Sequence, residues 1–224
     1  MGFISIEQSD NLFWLGRYAE RVYRTIRCFE ALCDVMLDID EQAYKPFCAA
    51  LNIPDIYKDS LDFIDSYLYE PQNPDSLYSN LSRAYDNGLV LRNTISSPSL
   101  SYLQLAMNCM EEGRRNRANA LVGRQVMDYL LAFWGSIDEY VASGQERCLI
   151  KAGRYLERLD MQIRLGESWE SIGVTLGKLE RRLIGAKLLY DTNKFRLLLN
   201  FAQLADDDEE VREIALENIR TLLL

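Results

Sequence analysis

Two glutamates and a set of arginines are the residues of this chain best suited to chemistry. Glu20 and Glu157 each sit in the phrase Gly-Arg-Tyr-x-Glu-Arg, written at 16–21 and again at 153–158, 137 positions apart. Two carboxylates brought together can divide acid and base roles between them. The arginines around them, Arg17, Arg21, Arg24, Arg27, Arg154, Arg158 and Arg164, present planar forks that grip a carboxylate or a phosphate. The same arginines favour ionised carboxylates and so blunt acid–base work. Two readings follow. In one, Glu–Arg pairs glue two long helices together. In the other, the cluster is a polar pocket for binding or catalysis on a small anionic or amino-acid-like ligand. Burial of Glu20, Arg27, Glu157 and Arg164 separates them: a sealed cluster favours structure, an open pocket favours a ligand.

The rest of the composition narrows the chemistry. The chain contains no histidine, which removes Ser–His and Cys–His catalysis, histidine metal ligands and the usual neutral-pH proton shuttle. No G-x-x-x-x-G-K-[ST] phosphate loop occurs, and no residue spacing suits a metal. No catalytic residue, metal or cofactor is therefore expected. The five cysteines are odd in number, form no C-x-x-C pair and sit among apolar helical neighbours, the pattern of buried free thiols. At 224 residues with 48% hydrophobic content, the chain is long enough for one all-helical domain spanning 1–224 with its own core. No apolar run approaches a membrane span, and the opening "MGFISIEQSD" lacks the basic and apolar parts of a signal peptide. A cytoplasmic protein is expected.

A net charge of −9 argues against nucleic acid and anionic membranes as partners. Much of it lies in 38–75, with nine acids and two lysines, and in 206–224, with seven acids and two arginines. Basic exceptions are "RRNR" at 114–117 and "ERR" at 180–182. Tyr44, Tyr57, Tyr67 and Tyr69 fall among the acids of 38–75. That mixture suits either a solvated face or a surface that docks a basic protein.

These side chains must be positioned by helices. Leu12, Leu15, Ala19, Val22, Ile26, Phe29, Cys33 and Met36 recur at steps of three and four, a continuous helical seam. Shorter helices are predicted over 41–51 and, with Ser60 as cap, 61–69. Asn73-Pro74 reads as an N-cap and first turn for a helix running to Ile95. Further helices are predicted at 99–112, 115–142, 145–168, 171–190, 193–204 and 208–223. No stretch alternates with the period of a strand. The fold class is all-α, an antiparallel multi-helix bundle of about eight helices, its two motif-bearing helices related by a pseudo-twofold.

Aligning 12–29 with 149–166 gives eight identities, far beyond the one or so expected by chance. On a helix, Gly16, Glu20, Arg24 and Arg27 form a stripe beside the seam, whereas Arg17 and Arg21 point farther from it. The second copy reads Gly153, Glu157, Met161, Arg164. A mid-helix glycine costs about 1 kcal/mol against alanine, so its gain is the close approach of another helix. Glu20 has Arg24 at i+4, but Glu157 has Met161 there. Glu157 then relies on Arg154 or reaches across to another helix, with Arg27 or Arg24 the expected partner.

Three phrases resemble the alpha-E family, bacterial all-helical proteins named for their Glu-Arg motifs: "DNLFWLGRYAER" at 10–21, "NPDSLYSNLSRAYDNGLVLRNTIS" at 73–96 and "GRYLERLD" at 153–160. Asp86 stands where the family has Glu, while Asn87 and Arg92 match, and these three join the candidate polar residues. The resemblance covers roughly residues 5–170. It implies a non-catalytic accessory role beside ATP-grasp amide ligases or transglutaminase-like peptidases, and it supplies no catalytic residue. A homodimer is a further possibility.

Overall fold

The computed structural model describes residues 4–116, 119–204 and 208–224. Arg117 of the basic segment, and Asp206 and Asp207 of the C-terminal acidic stretch, lie outside the described residues. Helix α1 (Ile6–Asp38) begins where the Ser5 side chain accepts the Gln8 amide, satisfying one orphan donor of the first turn. Its seam buries Leu12, Leu15, Ala19, Val22 and Ile26. Helix α2 (Tyr44–Leu51) stops at Asn52, which takes the left-handed conformation at φ 56°. Helix α3 (Ser60–Tyr69) is capped by Asp59, not by Ser60: the Asp59 carboxylate accepts the Asp62 amide at 2.8 Å. Both residue types cap well, and the carboxylate one position earlier takes the place.

Asn73 does not cap α4 (Leu77–Val90). It builds the preceding turn by accepting the Asp75 amide, and Ser76 caps the helix. The chain leaves the helix at Leu91, so α5 (Arg92–Ile95) is a separate turn. Then come α6 (Ser97–Asn116), α7 (Asn119–Tyr140), α8 (Gly144–Arg164), α9 (Trp169–Ala186), α10 (Thr192–Leu204) and α11 (Glu209–Arg220). Serines 143 and 168 cap α8 and α9, and Asp208 caps α11. The described residues thus hold eleven helices, where the pattern predicts about eight. Eight have twelve or more residues; the short α2 and α3 fall on the predicted 41–51 and 61–69, and α5 is the turn that the pattern did not separate from α4.

Sequence neighbours joined by short connections run antiparallel. Along α8 and α9, Gln145 reaches the Ala186 carbonyl and Gln162 reaches Ser171. Along α6 and α7, Ser99 meets Ser136 and Cys109 meets Gln125. The motif pair is the exception. Gln8 meets Glu146, Gly16 lies against Ile150 and Arg154, and Arg24 meets Glu167, so α1 and α8 are parallel. Parallel neighbours need a long connection, and α2 through α7 provide it.

Two apolar clusters share α8. Leu149 and Ile150 join the residues of α1–α7, while Leu156, Leu159 and Ile163 pack with α9, α10 and α11. Phe63, fully buried, centres an aromatic group with ring centroids 5.0 Å from Tyr44 and Tyr57 and 5.2 Å from Tyr67. This corrects the reading of 38–75 as an acidic surface dotted with tyrosines. All four tyrosines are buried. The alternation of acids with aromatics places acids outward and rings inward. Burial pushes the Tyr57 phenol up to about 12.

Glu30, Asp34 and Asp38 lie at successive i+4 positions along the end of α1, and its last turn holds no base. Like charges at that spacing cost about 0.2–0.5 kcal/mol per pair, and acids oppose the dipole at a helix C-terminus. All five cysteines are free thiols, with Cys48 and Cys109 buried. Burial, aided by Asp34 and Glu30, pushes Cys33 up to about 11. Because the thiolate is the nucleophile, alkylation of Cys33 by iodoacetamide at pH 8 should be over an order of magnitude slower than that of free cysteine. Its rate should rise about tenfold per pH unit below the pKa, read by mass spectrometry of the labelled peptide. A rate at pH 8 equal to that of free cysteine would contradict the burial.

Candidate functional site

The repeated phrase works by letting two helix backbones touch. A Cβ built on Gly16 would lie 1.9 Å from the Ile150 carbonyl oxygen, and one on Gly153 would lie 2.0 Å from that of Phe13. Each glycine therefore admits the backbone of the other motif's helix, and no larger residue fits without moving it.

That approach sets the ion pairs. Glu20 accepts from Arg154 Nε at 2.9 Å and from Arg158 Nε at 2.6 Å. Glu157 accepts from Arg17 Nε at 2.7 Å and from Arg21 Nε at 2.5 Å. Each glutamate is held by both arginines of the opposite copy, so the exchange is reciprocal. Both carboxylates are sealed from solvent, while the guanidiniums reach outward past them. For Arg21, burial lowers the pKa and the Glu157 carboxylate raises it; the carboxylate wins, and the guanidinium is held above its ordinary value. Arg154 also lies over the Trp134 ring at 4.1 Å, and Arg17 lies over Trp14 at 5.0 Å, so aromatic faces shield the outer side of the cluster.

This geometry corrects the expected partners. Glu157 pairs with neither Arg24 nor Arg27, and Glu20 does not use Arg24 at i+4. Arg24 pairs with Glu167, in the connection after α8, and Arg27 is exposed. Arg17 and Arg21 sit farther from the apolar seam, and that is the side on which the parallel α8 lies. Arg164 bonds Asp160 at 2.7 Å and the Ala50 carbonyl at 3.2 Å, tying α8 to α2. Asp86 and Arg92 are exposed, and Asn87 is half-buried on α4; none of the three bonds to either glutamate. Sequence reasoning missed Trp134, Asp160 and Glu167. Asp160 stands four residues before Arg164, a legible helical pair. Glu167 and Trp134 carry no such local signal.

Beside the cluster is a cleft lined by Arg21, Thr25, Tyr67, Asp75, Asp160 and Arg164. Its volume of about 20 Å³ has room for a water or a small ion, not for an amino acid. The buried Thr25 hydroxyl faces the Tyr67 phenol in this cleft. Among the described residues, no group of three His, Cys, Asp or Glu side chains is placed to hold a metal ion. No helix of the described residues is long and apolar enough to cross a membrane.

A family model described as a predicted alpha-helical domain with a conserved ER motif matches residues 8–202. No curated protein and no solved structure matches the chain.

Proposed function

On the premise that the chain belongs to the Alpha-E family, we propose that it is a non-catalytic accessory or scaffold protein that works with an ATP-grasp-type amide ligase or a transglutaminase-like peptidase. The observation that carries this reading is the sealed exchange. Glu20 and Glu157 spend their oxygens on four arginines and are closed off from solvent, so the motif acts as a clamp between α1 and α8. The reciprocal pairing is what a local twofold between the motifs would produce. A single domain spanning 1–224 is part of the same proposal, since α8 contributes to both apolar clusters.

The alternative, small-anion or amino-acid-like binding at the Glu/Arg cluster, draws on the cleft beside Arg21 and Arg164. Purification of the tagged chain from its native host, with mass spectrometry of proteins and small molecules, separates the two. The expected result is a ligase or peptidase at near-stoichiometric yield and no stoichiometric small molecule. A bound small anion with no protein partner would overturn the scaffold reading.

A further inference from the structure

An apolar groove lies beyond the clamp, along the C-terminal end of α1. The last third of α1, α3 and the start of α7 enclose about 530 Å³ lined by Ile26, Phe29, Cys33 and Leu37 on one side and Ile64 and Leu68 on the other. Leu37 is 77% exposed. The α1 side of the groove carries Glu30 and Asp34, and Arg124 stands on the α7 wall. Among the described residues, neither acid is in an ion pair. Two apolar stripes with an acidic edge have the form of a receptor for one helix face that carries bases beside its apolar anchors.

The chain itself displays such a face. On α9, Val174, Gly177, Lys178, Arg181 and Ile184 fall at helical spacing on one side. Val174 is 57% exposed and Ile184 64%. Lys178 and Arg181 are in no ion pair among the described residues, and Arg181 Nε bonds only the Gly177 carbonyl of its own helix. Glu170 ends the face at its N-terminal side. Gly177 is informative by contrast with Gly16 and Gly153: a Cβ placed on it would meet nothing within 4 Å. A mid-helix glycine is unfavourable, and among the described residues none occupies the space that this one leaves open.

We propose that the α1–α3 groove of one copy receives the exposed α9 face of a second copy, the acidic edge of α1 meeting Lys178 and Arg181. The contact joins different surfaces of the two chains. It therefore closes into a dimer if both copies engage reciprocally, and otherwise builds a ring or a filament. Electrostatic attraction across it makes the association weaken with salt.

Sedimentation velocity across a concentration series, at low and high salt, tests this on the intact chain. The expected result is a mass above 25.9 kDa that falls with added salt. Glu30→Lys/Asp34→Lys and Lys178→Glu/Arg181→Glu should each weaken association by at least about tenfold in Kd. Mixing the two variants should restore it, because the reversed groove then meets the reversed helix. Gly177→Leu fills space that is open in the single chain, so it should keep or raise helicity by circular dichroism while abolishing association. A monomer at every concentration, association unmoved by Gly177→Leu, or a mixture of folded variants that stays dissociated would overturn the proposal.

Discussion

Glu157→Ala should lower stability by about 3 kcal/mol in denaturant melts, the low end for a broken buried pair, because Arg17 is left mostly buried without its carboxylate while Arg21 can turn to water. Glu20→Ala should cost a similar amount, since Arg154 and Arg158 hold it in the same way. Removing one arginine should cost less, and least at Arg21, whose side chain is 41% exposed and can find water. The pairing also fixes which double variants couple. Glu157→Ala with Arg17→Met should be clearly less destabilising than the sum of the two single changes. Glu157→Ala with Arg27→Met should be additive, since Arg27 is exposed and makes no bond to Glu157. Coupling to Arg27 instead of Arg17 would overturn the exchange described above.

Gly16→Ala and Gly153→Ala should each destabilise by about 3 kcal/mol, at the upper end for overpacking. Alanine gains about 1 kcal/mol of helix propensity, but its Cβ would stand 1.9 Å or 2.0 Å from a carbonyl oxygen of the facing helix. Neither backbone can yield alone, so the helices must separate, and separation also lengthens the four Glu–Arg bonds. Once they have moved for one alanine, the second has room. The double variant should therefore cost well under the sum of the singles. Full additivity would show that the two glycines do not share one contact. Urea titrations read both quantities, with an unchanged slope showing that the variants unfold from an equally compact state.

The repeat, the all-α class and the closeness of the two glycines were legible because they rest on local rules. A seam at steps of three and four can be buried only as a helix, and a glycine inside one is tolerated where another backbone approaches. Helix ends were less legible. Asp59 and Ser60, or Asn73 and Ser76, are each competent caps, and which of them reaches the backbone amide three residues on decides between them. The tyrosines of 38–75 were misplaced for a related reason. Acids between aromatics read as a mixed surface, but the same spacing turns Tyr44, Tyr57 and Tyr67 onto Phe63.

By itself, then, the sequence determined that two helices carry matching Gly, Glu and Arg residues, and that these carboxylates and guanidiniums must find one another. Which arginine meets which glutamate was decided only by the tertiary structure. The i+4 rule describes one helix in isolation and assigns Arg24 to Glu20. In the folded chain, six intervening helices return α8 parallel to α1, so that Arg17 and Arg21 lie on the side facing Glu157, and Arg24 lies level with Glu167. A carboxylate closed off from water takes the donors that reach it across the interface at about 2.5–3 Å, and that geometry depends on helix direction, which no local spacing encodes.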